Sequence, residues 1–361
     1  MAIKRGVHFY SYMDKQFLGE YGLEECLKAA HETGATGFEM LAEETAFGTF
    51  PNPTDYEVER WKELLEKYEM EPISVNGFID PPRFRGKPDL SFEECLEQQE
   101  TYIKLCAKLG FPIFQPGVGY YRNNQLLEES IEIAEYYNVK LGVCLSFALT
   151  PNSTKGIDQF INMIERKKTK NLGFILDFAV FARQLSPSLI QQFLRNGADE
   201  ETINYILEEL EKGERELQEI SYSVKLMRGR DCYSRLKNKI DYMPSYYLSM
   251  TEYTRPENAL ASFVGPCGAT IGLMDPEMIR YISPYLLLCE GKFYDMTEDC
   301  VEPTVDYAGP IKVLKECGWN GYITSMYEGQ RNFHDPKSTY SPDEAEIVAR
   351  HQKMLKRLIE E

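Results

Sequence analysis

Gly173-Phe174-Ile175-Leu176-Asp177 is a short apolar run that ends in a carboxylate. Strands of a parallel sheet are covered on both faces, so they read as nearly continuous apolar runs of this length. Seven further runs have the same form: Gly6–Tyr10, Gly37–Leu41, Pro72–Asn76, Pro112–Gln115, Lys140–Leu145, Tyr285–Glu290 and Gly321–Met326. The stretches between them carry helical spacing, as in Leu23, Cys26, Leu27 and Ala30. Thr54 ahead of Asp55 and Glu57, and Ser91 ahead of Glu94, place a capping residue and an acidic first turn at two helix starts. Tyr307–Glu316 and Ser341–Ile359 complete the helical set, and Gly34, Gly110 and Gly318 follow helices where a left-handed cap fits. Strands alternating with helices predict a parallel sheet, and eight such units predict closure into one (β/α)8 TIM barrel.

The length agrees. A barrel of this kind takes about 250 residues, and the chain has 361. Much of the excess falls between Asp177 and Tyr285, where about a hundred residues stand in place of the roughly thirty a βαβ unit needs. That segment, about 186–276, is charged and helical at first, then rich in Tyr, Pro and Gly. It has too few apolar residues for a core of its own, so it reads as an elaboration between strands six and seven of one domain spanning 1–361.

Charge narrows the function classes. The formal net charge is −17, which opposes nucleic acid and anionic membrane surfaces alike. No run approaches the ~18 apolar residues of a membrane span, and no phosphate-cradling glycine loop occurs. Nine cysteines, odd in number and without a CxxC pair, read as free thiols in a reducing cytoplasm.

In such barrels the chemistry sits where strands end. The polar residues there are His8, Glu39, Glu43, Asn76, Gln115, Asp177, Glu290, Lys292 and Glu328, with Cys144 and Ser146 on the fifth strand. Asp177, Glu290, Lys292 and Glu328 are the catalytic candidates. Asp177 is delivered to the mouth by an apolar strand and must be paired, hydrogen-bonded or metal-bound; the plain alternative is a helix cap. Glu290 and Lys292 read equally as an ion pair or as part of a pocket. His8, Tyr10, Asn76, Gln115, Phe293 and Tyr327 are substrate-binding candidates. For His8 the alternative is a hydrogen-bonded core histidine, and for the aromatic residues it is core packing.

Several stretches together resemble the xylose isomerase-like family of sugar phosphate isomerases and epimerases. They are Gly6–Tyr12, Phe50–Asp55, Gly173–Phe178, Gly291–Tyr294, Gly321–Gln330 and His351–Leu358. The resemblance implies a divalent metal, manganese, magnesium, cobalt or zinc, held by Glu, Asp, His and Glu on strands five to eight. It implies proton transfer next to a carbonyl or hydroxyl of a sugar, polyol or glycoside, in an isomerase, an epimerase or a related lyase of the C-glycoside-cleaving type. Matched position by position, the fifth-strand Glu falls on Cys144 and a following His on Ser146. The seventh-strand His falls on Glu290 and the eighth-strand Glu on Met326; only Asp177 is as the family has it. Asp177, Glu290 and Cys144 are left as a three-ligand set that would suit zinc. Two readings follow: an enzyme with a rebuilt site, or an inactive paralogue that binds sugar or assembles with an active relative. The acidic surface suits a homo-oligomer or a complex with a related subunit.

Overall fold

A computed structural model describes residues 3–42, 48–77, 90–117, 124–146, 155–184, 186–195, 200, 204, 207, 208, 274–331 and 338–361. Eight parallel strands form a closed barrel in chain order, with β8 paired back onto β1. They are β1 (Lys4–His8), β2 (Gly37–Leu41), β3 (Glu71–Gly77), β4 (Ile113–Pro116), β5 (Lys140–Leu145), β6 (Leu172–Asp177), β7 (Leu286–Phe293) and β8 (Tyr322–Tyr327). The described helices are α1 (Met13–Phe17), α2 (Leu23–Glu32), α3 (Asp55–Tyr68), α4 (Phe92–Leu109), α5 (Asn124–Tyr137), α6 (Lys155–Lys167), α7 (Pro187–Arg195), α8 (Ile279–Ile282), α9 (Ala308–Glu316) and α10 (Glu344–Glu360). The barrel expected from the runs is the barrel observed. The one consequential difference is β7, which continues three residues beyond Glu290 and so takes in Lys292 and Phe293. Most of the expected elaboration, including residues 209–273, lies outside the described residues.

The caps behave as their chemistry requires. Thr54 and Ser91 each accept from the backbone N–H three residues on, and Glu57 and Glu94 reach back to the capping N–H. Gly34, Gly110 and Gly318 sit at φ 77°, 84° and 70°, the left-handed region where a side chain would be strained. Seven cysteines are described and none of them is in a disulfide; Cys232 and Cys267 lie outside the described residues. Among the described residues no helix is long and apolar enough to cross a membrane.

Two apolar regions divide the work. One large core fills the space between sheet and helices, with Phe38 meeting Trp61 and Phe111 edge to face in it. A separate cluster of Ile73, Ile113, Ile175 and Leu288 fills the barrel lumen. Glycines make room for it: a Cβ on Gly142 would meet Ile175 Cδ1 at 2.4 Å, and one on Gly37 would meet Ile73 Cδ1 at 2.8 Å. Side chains alternate along a strand, so the lumen residues two positions further on form the next layer up. That layer holds His8, Glu39, Gln115, Cys144, Asp177, Glu290 and Met326. Register shifts by one at Ile73, where Phe38 pairs with Pro72 but Glu39 with Ser74, and Asn76 joins the same layer.

The last helix ties the seam where the barrel closes. On α10, Gln352 Nε2 donates to Gly6 O (2.5 Å) and Ser325 Oγ (2.8 Å), while Arg5 donates to Gln352 Oε1 (2.9 Å). His351 Nδ1 lies 2.6 Å from Ser325 Oγ, and its ring stacks on Phe293 at 4.0 Å. Tight strand approach elsewhere is equally specific: a Cβ on Gly173 would sit 2.5 Å from Tyr285 O, a backbone atom that cannot step aside. Gly173→Ala is therefore expected to destabilise the fold by about 1–3 kcal/mol. The check is the urea midpoint, with an unchanged denaturant slope.

Candidate functional site

At the C-terminal end of the barrel the second lumen layer is polar almost throughout, and it divides into a charged side and a neutral side. On the charged side Asp177 ends β6 with its carboxylate buried. Its Oδ1 accepts from Ala179 N (2.8 Å), capping the short 3-10 turn Phe178–Phe181, and its Oδ2 lies 2.8 Å from Lys292 Nζ. Both readings of Asp177 thus hold at once, as a cap and as a buried charge. Lys292 Nζ also lies 3.7 Å from Glu328 Oε1. Burial opposes the charge on Lys292, yet Asp177 and Glu328 outweigh it, and the ammonium is held well above its ordinary range. Glu328 is backed by the buried Arg331, whose Nη1 is 3.8 Å from Glu328 Oε2. Arg331 also lies over the Tyr10 ring at 4.4 Å and donates to Tyr10 O at 2.9 Å.

Glu290 stands between the two sides. Asn76 Nδ2 donates to its Oε1 (3.4 Å), and Cys144 Sγ lies 3.8 Å from its Oε2. Glu39, fully buried on β2, accepts from the hydroxyls of Ser74 and Thr324. Burial, followed by the charge of Glu290, pushes the Glu39 carboxyl up to about 8. Burial, followed by Asp177, pushes Glu290 up to about 7, against Lys292 and the amides of Asn76 and Gln115. Both carboxyls are thus held above their ordinary range by sharing one buried site.

His8 completes the neutral side. Its Nδ1 accepts from Tyr10 N at 3.1 Å, so the neutral ring carries its proton on Nε2. Burial first, then the Lys292 charge, hold its pKa down at about 3, so the ring stays neutral. Among the described residues, Nε2 of His8, Oδ1 of Asn76 and Oε1 of Gln115 are buried without a hydrogen bond of standard geometry, although the His8 ring and the Asn76 side chain interact.

Most of the residues singled out from sequence meet here: His8, Tyr10, Asn76, Gln115, Cys144, Asp177, Glu290, Lys292 and Glu328. Phe293 and Tyr327 do not join them. Both are buried on the helix side, Phe293 against His351 and Tyr327 donating from its hydroxyl to Gln330 O (2.9 Å). The reason is strand alternation, since Lys292 faces the lumen and its neighbour must face out. Glu43 lies outside the described residues. Glu39 was visible as a strand-end carboxylate, but its place beside Glu290 was not. The available signal was its spacing, two residues after the lumen glycine Gly37. Arg331 gave none, lying beyond the last strand.

By distance alone, two groups among the described residues are within reach of a common ion: His8, Glu39 and Glu290, and Cys144, Asp177 and Glu290. The ligand atoms within each lie no more than 4.8 Å apart. Their donor chemistry does not suit a divalent cation. His8 Nδ1 is already taken by the N–H of Tyr10, and both Glu39 oxygens are taken by hydroxyls. Cys144 brings a soft sulfur donor from β5, 3.8 Å from Glu290 Oε2. Asp177 spends one oxygen on Ala179 N–H and sets the other against Lys292. From β8 comes Met326, a soft thioether.

Comparison with known proteins agrees with this architecture. Residues 27–199 match the family model described as xylose isomerase-like TIM barrel. The chain is 25% identical over 366 residues to a C-glycoside deglycosidase alpha subunit of Arthrobacter globiformis, covering 100% of this chain and 93% of that one. It is 23% identical to a 3'-dehydrocarminate deglycosidase alpha subunit of a Microbacterium species, covering 100% and 97%. An L-ribulose 3-epimerase structure superposes with a TM-score of 0.55 at 10% identity, covering 99% and 95%. The chain is a closed (β/α)8 TIM barrel, and residues 27–199 of it are similar to the xylose isomerase-like family.

The carboxyl pair sets a pH dependence. Glu39 and Glu290 bind protons more tightly when folded than when unfolded, where carboxyls titrate near 4.5. Their stabilisation is complete below that value and is lost as pH rises to about 8. His8 and His351, each pushed down to about 3 by burial, act the other way below 6.5. Between pH 6.5 and 8 these two histidines no longer titrate while the raised carboxyls still do, so stability should fall across that interval and Glu39→Gln should flatten the fall. Urea midpoints at stepped pH values test this; parallel curves for the two proteins would refute the assignment.

Proposed function

We propose that this chain acts on a sugar, polyol or glycoside at the barrel mouth, moving a proton next to a carbonyl or hydroxyl, as one subunit of a complex with a related chain. The observation that carries the reading is the buried Glu39–Glu290 pair facing the Asp177–Lys292 ion pair. A carboxyl whose pKa lies near the working pH exchanges protons most effectively, and the ammonium side suits an oxygen that gains negative charge. The neutral side, with His8, Asn76 and Gln115, suits hydroxyl groups, which donate and accept together. The alpha-subunit names of the relatives support a partner chain, and their deglycosidase names support a glycoside. The free thiols suit the cytoplasm.

A second reading, binding or assembly without turnover, is favoured by Cys144 and Met326 standing where the family resemblance implies glutamates. One experiment separates the two. Ketoses and glycosides carrying a sugar carbonyl are incubated with the chain in D2O, alone and with a partner subunit. Deuterium is then read by NMR at the carbon next to the carbonyl. The enzyme reading expects incorporation that drops by about 10²-fold or more in Glu290→Gln. A ligand-induced rise in melting temperature without deuterium uptake supports the binding subunit. Neither effect, with any substrate class, sinks both.

A further inference from the structure

We propose that Lys292 supplies, as a fixed ammonium, the positive charge that the family resemblance implies from a divalent ion. Its position is specific. Lys292 follows Glu290 by two residues on β7, so both face the lumen, and Glu290 pairs in register with Asp177. The ammonium lies 2.8 Å from Asp177 Oδ2, the one ligand residue that this chain shares with the family pattern. Glu328 Oε1, at 3.7 Å, bounds it on the β8 side. The charge that would draw a cation to Asp177 is already met from within the chain.

The rest of the donor set has changed in the same direction. A dication in this mouth needs several hard anionic ligands. Strand β5 offers a thiol and strand β8 a thioether, both soft sulfur donors, while Asp177 has given its other oxygen to Ala179 N–H. An internal ammonium needs less, because one or two carboxylates neutralise it. Lysine carries three N–H donors. Asp177 and Glu328 lie 2.8 and 3.7 Å from Nζ, and the side chain remains 11% exposed toward the mouth.

This assignment rests on the reading above for the identity of the ligand, an oxygen of a carbonyl-bearing sugar. The ammonium would donate to that oxygen while the neighbouring C–H proton passes to a carboxylate, so Lys292 itself makes and breaks no covalent bond. An ammonium paired with two carboxylates has no lone pair to offer a carbonyl carbon, which separates this role from a Schiff base.

The test uses the full chain purified without chelator. Metal analysis should find no stoichiometric ion. The melting temperature should be unmoved by EDTA or by manganese, cobalt or zinc. Lys292→Met uncovers Asp177 and Glu290 and should make melting metal-responsive, whereas Lys292→Arg should stay indifferent. Borohydride added with a ketose should leave the protein mass unchanged, and ketose affinity should fall about tenfold or more in Lys292→Met. A stoichiometric ion in the wild-type chain, a metal-dependent rise in its melting temperature, or a reduced adduct on Lys292 overturns the assignment. If Lys292→Met does not fold, the wild-type metal titration decides alone. Failure of every sugar to bind, with the metal results as expected, would overturn the proposed function and leave the charge assignment standing.

Discussion

Asp177 and Lys292 face each other at 2.8 Å, both largely buried in the barrel mouth, and the rest of the site is arranged around that pair. A buried carboxylate without a partner costs several kcal/mol, and breaking such a pair from one side costs about 3–5 kcal/mol. The pair is also the first link of a longer chain of alternating charge. Lys292 leads to Glu328, Glu328 to Arg331, and Arg331 Nε to Glu344 Oε1 at 3.3 Å. Glu344 lies in the first turn of α10 and accepts from the backbone of Asp14 and Lys15, both at 3.2 Å. The charges of the mouth are therefore connected, contact by contact, to the helix that fastens the closing seam.

Opposite that chain the same layer of side chains is nearly neutral. His8 is held as a donor by the N–H of Tyr10, and Glu39 is clasped by two hydroxyls. Burial decides the protonation of both, in opposite directions for base and acid, and leaves each uncharged in the neutral range. One half of the mouth thus offers fixed dipoles and the other fixed charge. A reaction that spreads negative charge onto an oxygen while moving a proton needs both, close together and shielded from bulk water.

Much of this was legible in the sequence. All eight strands were marked by apolar runs, most helices by capping residues and spacing, and the mouth by residues that follow those runs. Asp177, Glu290, Lys292, Asn76 and His8 were found that way because strand ends in a closed barrel converge on one place. Phe293 and Tyr327 looked equivalent to them. Each belongs to the outer face, because β7 runs on past Glu290 and alternation continues with it. The length of β7 is set by its pairing with β8, from Cys289 with Ile323 to Phe293 with Tyr327, and a single run of letters does not record a pairing.

The amino-acid sequence by itself determined the closed barrel, the end at which chemistry gathers, and the replacement of most of the expected ligands by Cys144, Glu290 and Met326. Those follow from local periodicity and residue type, which act over a few neighbouring positions. Only the tertiary structure decided that Glu39 meets Glu290, that Lys292 meets Asp177, and that Arg331 lies under Tyr10. These are contacts between residues far apart in the chain, and their energies come from burial and distance, which exist only once the strands have closed.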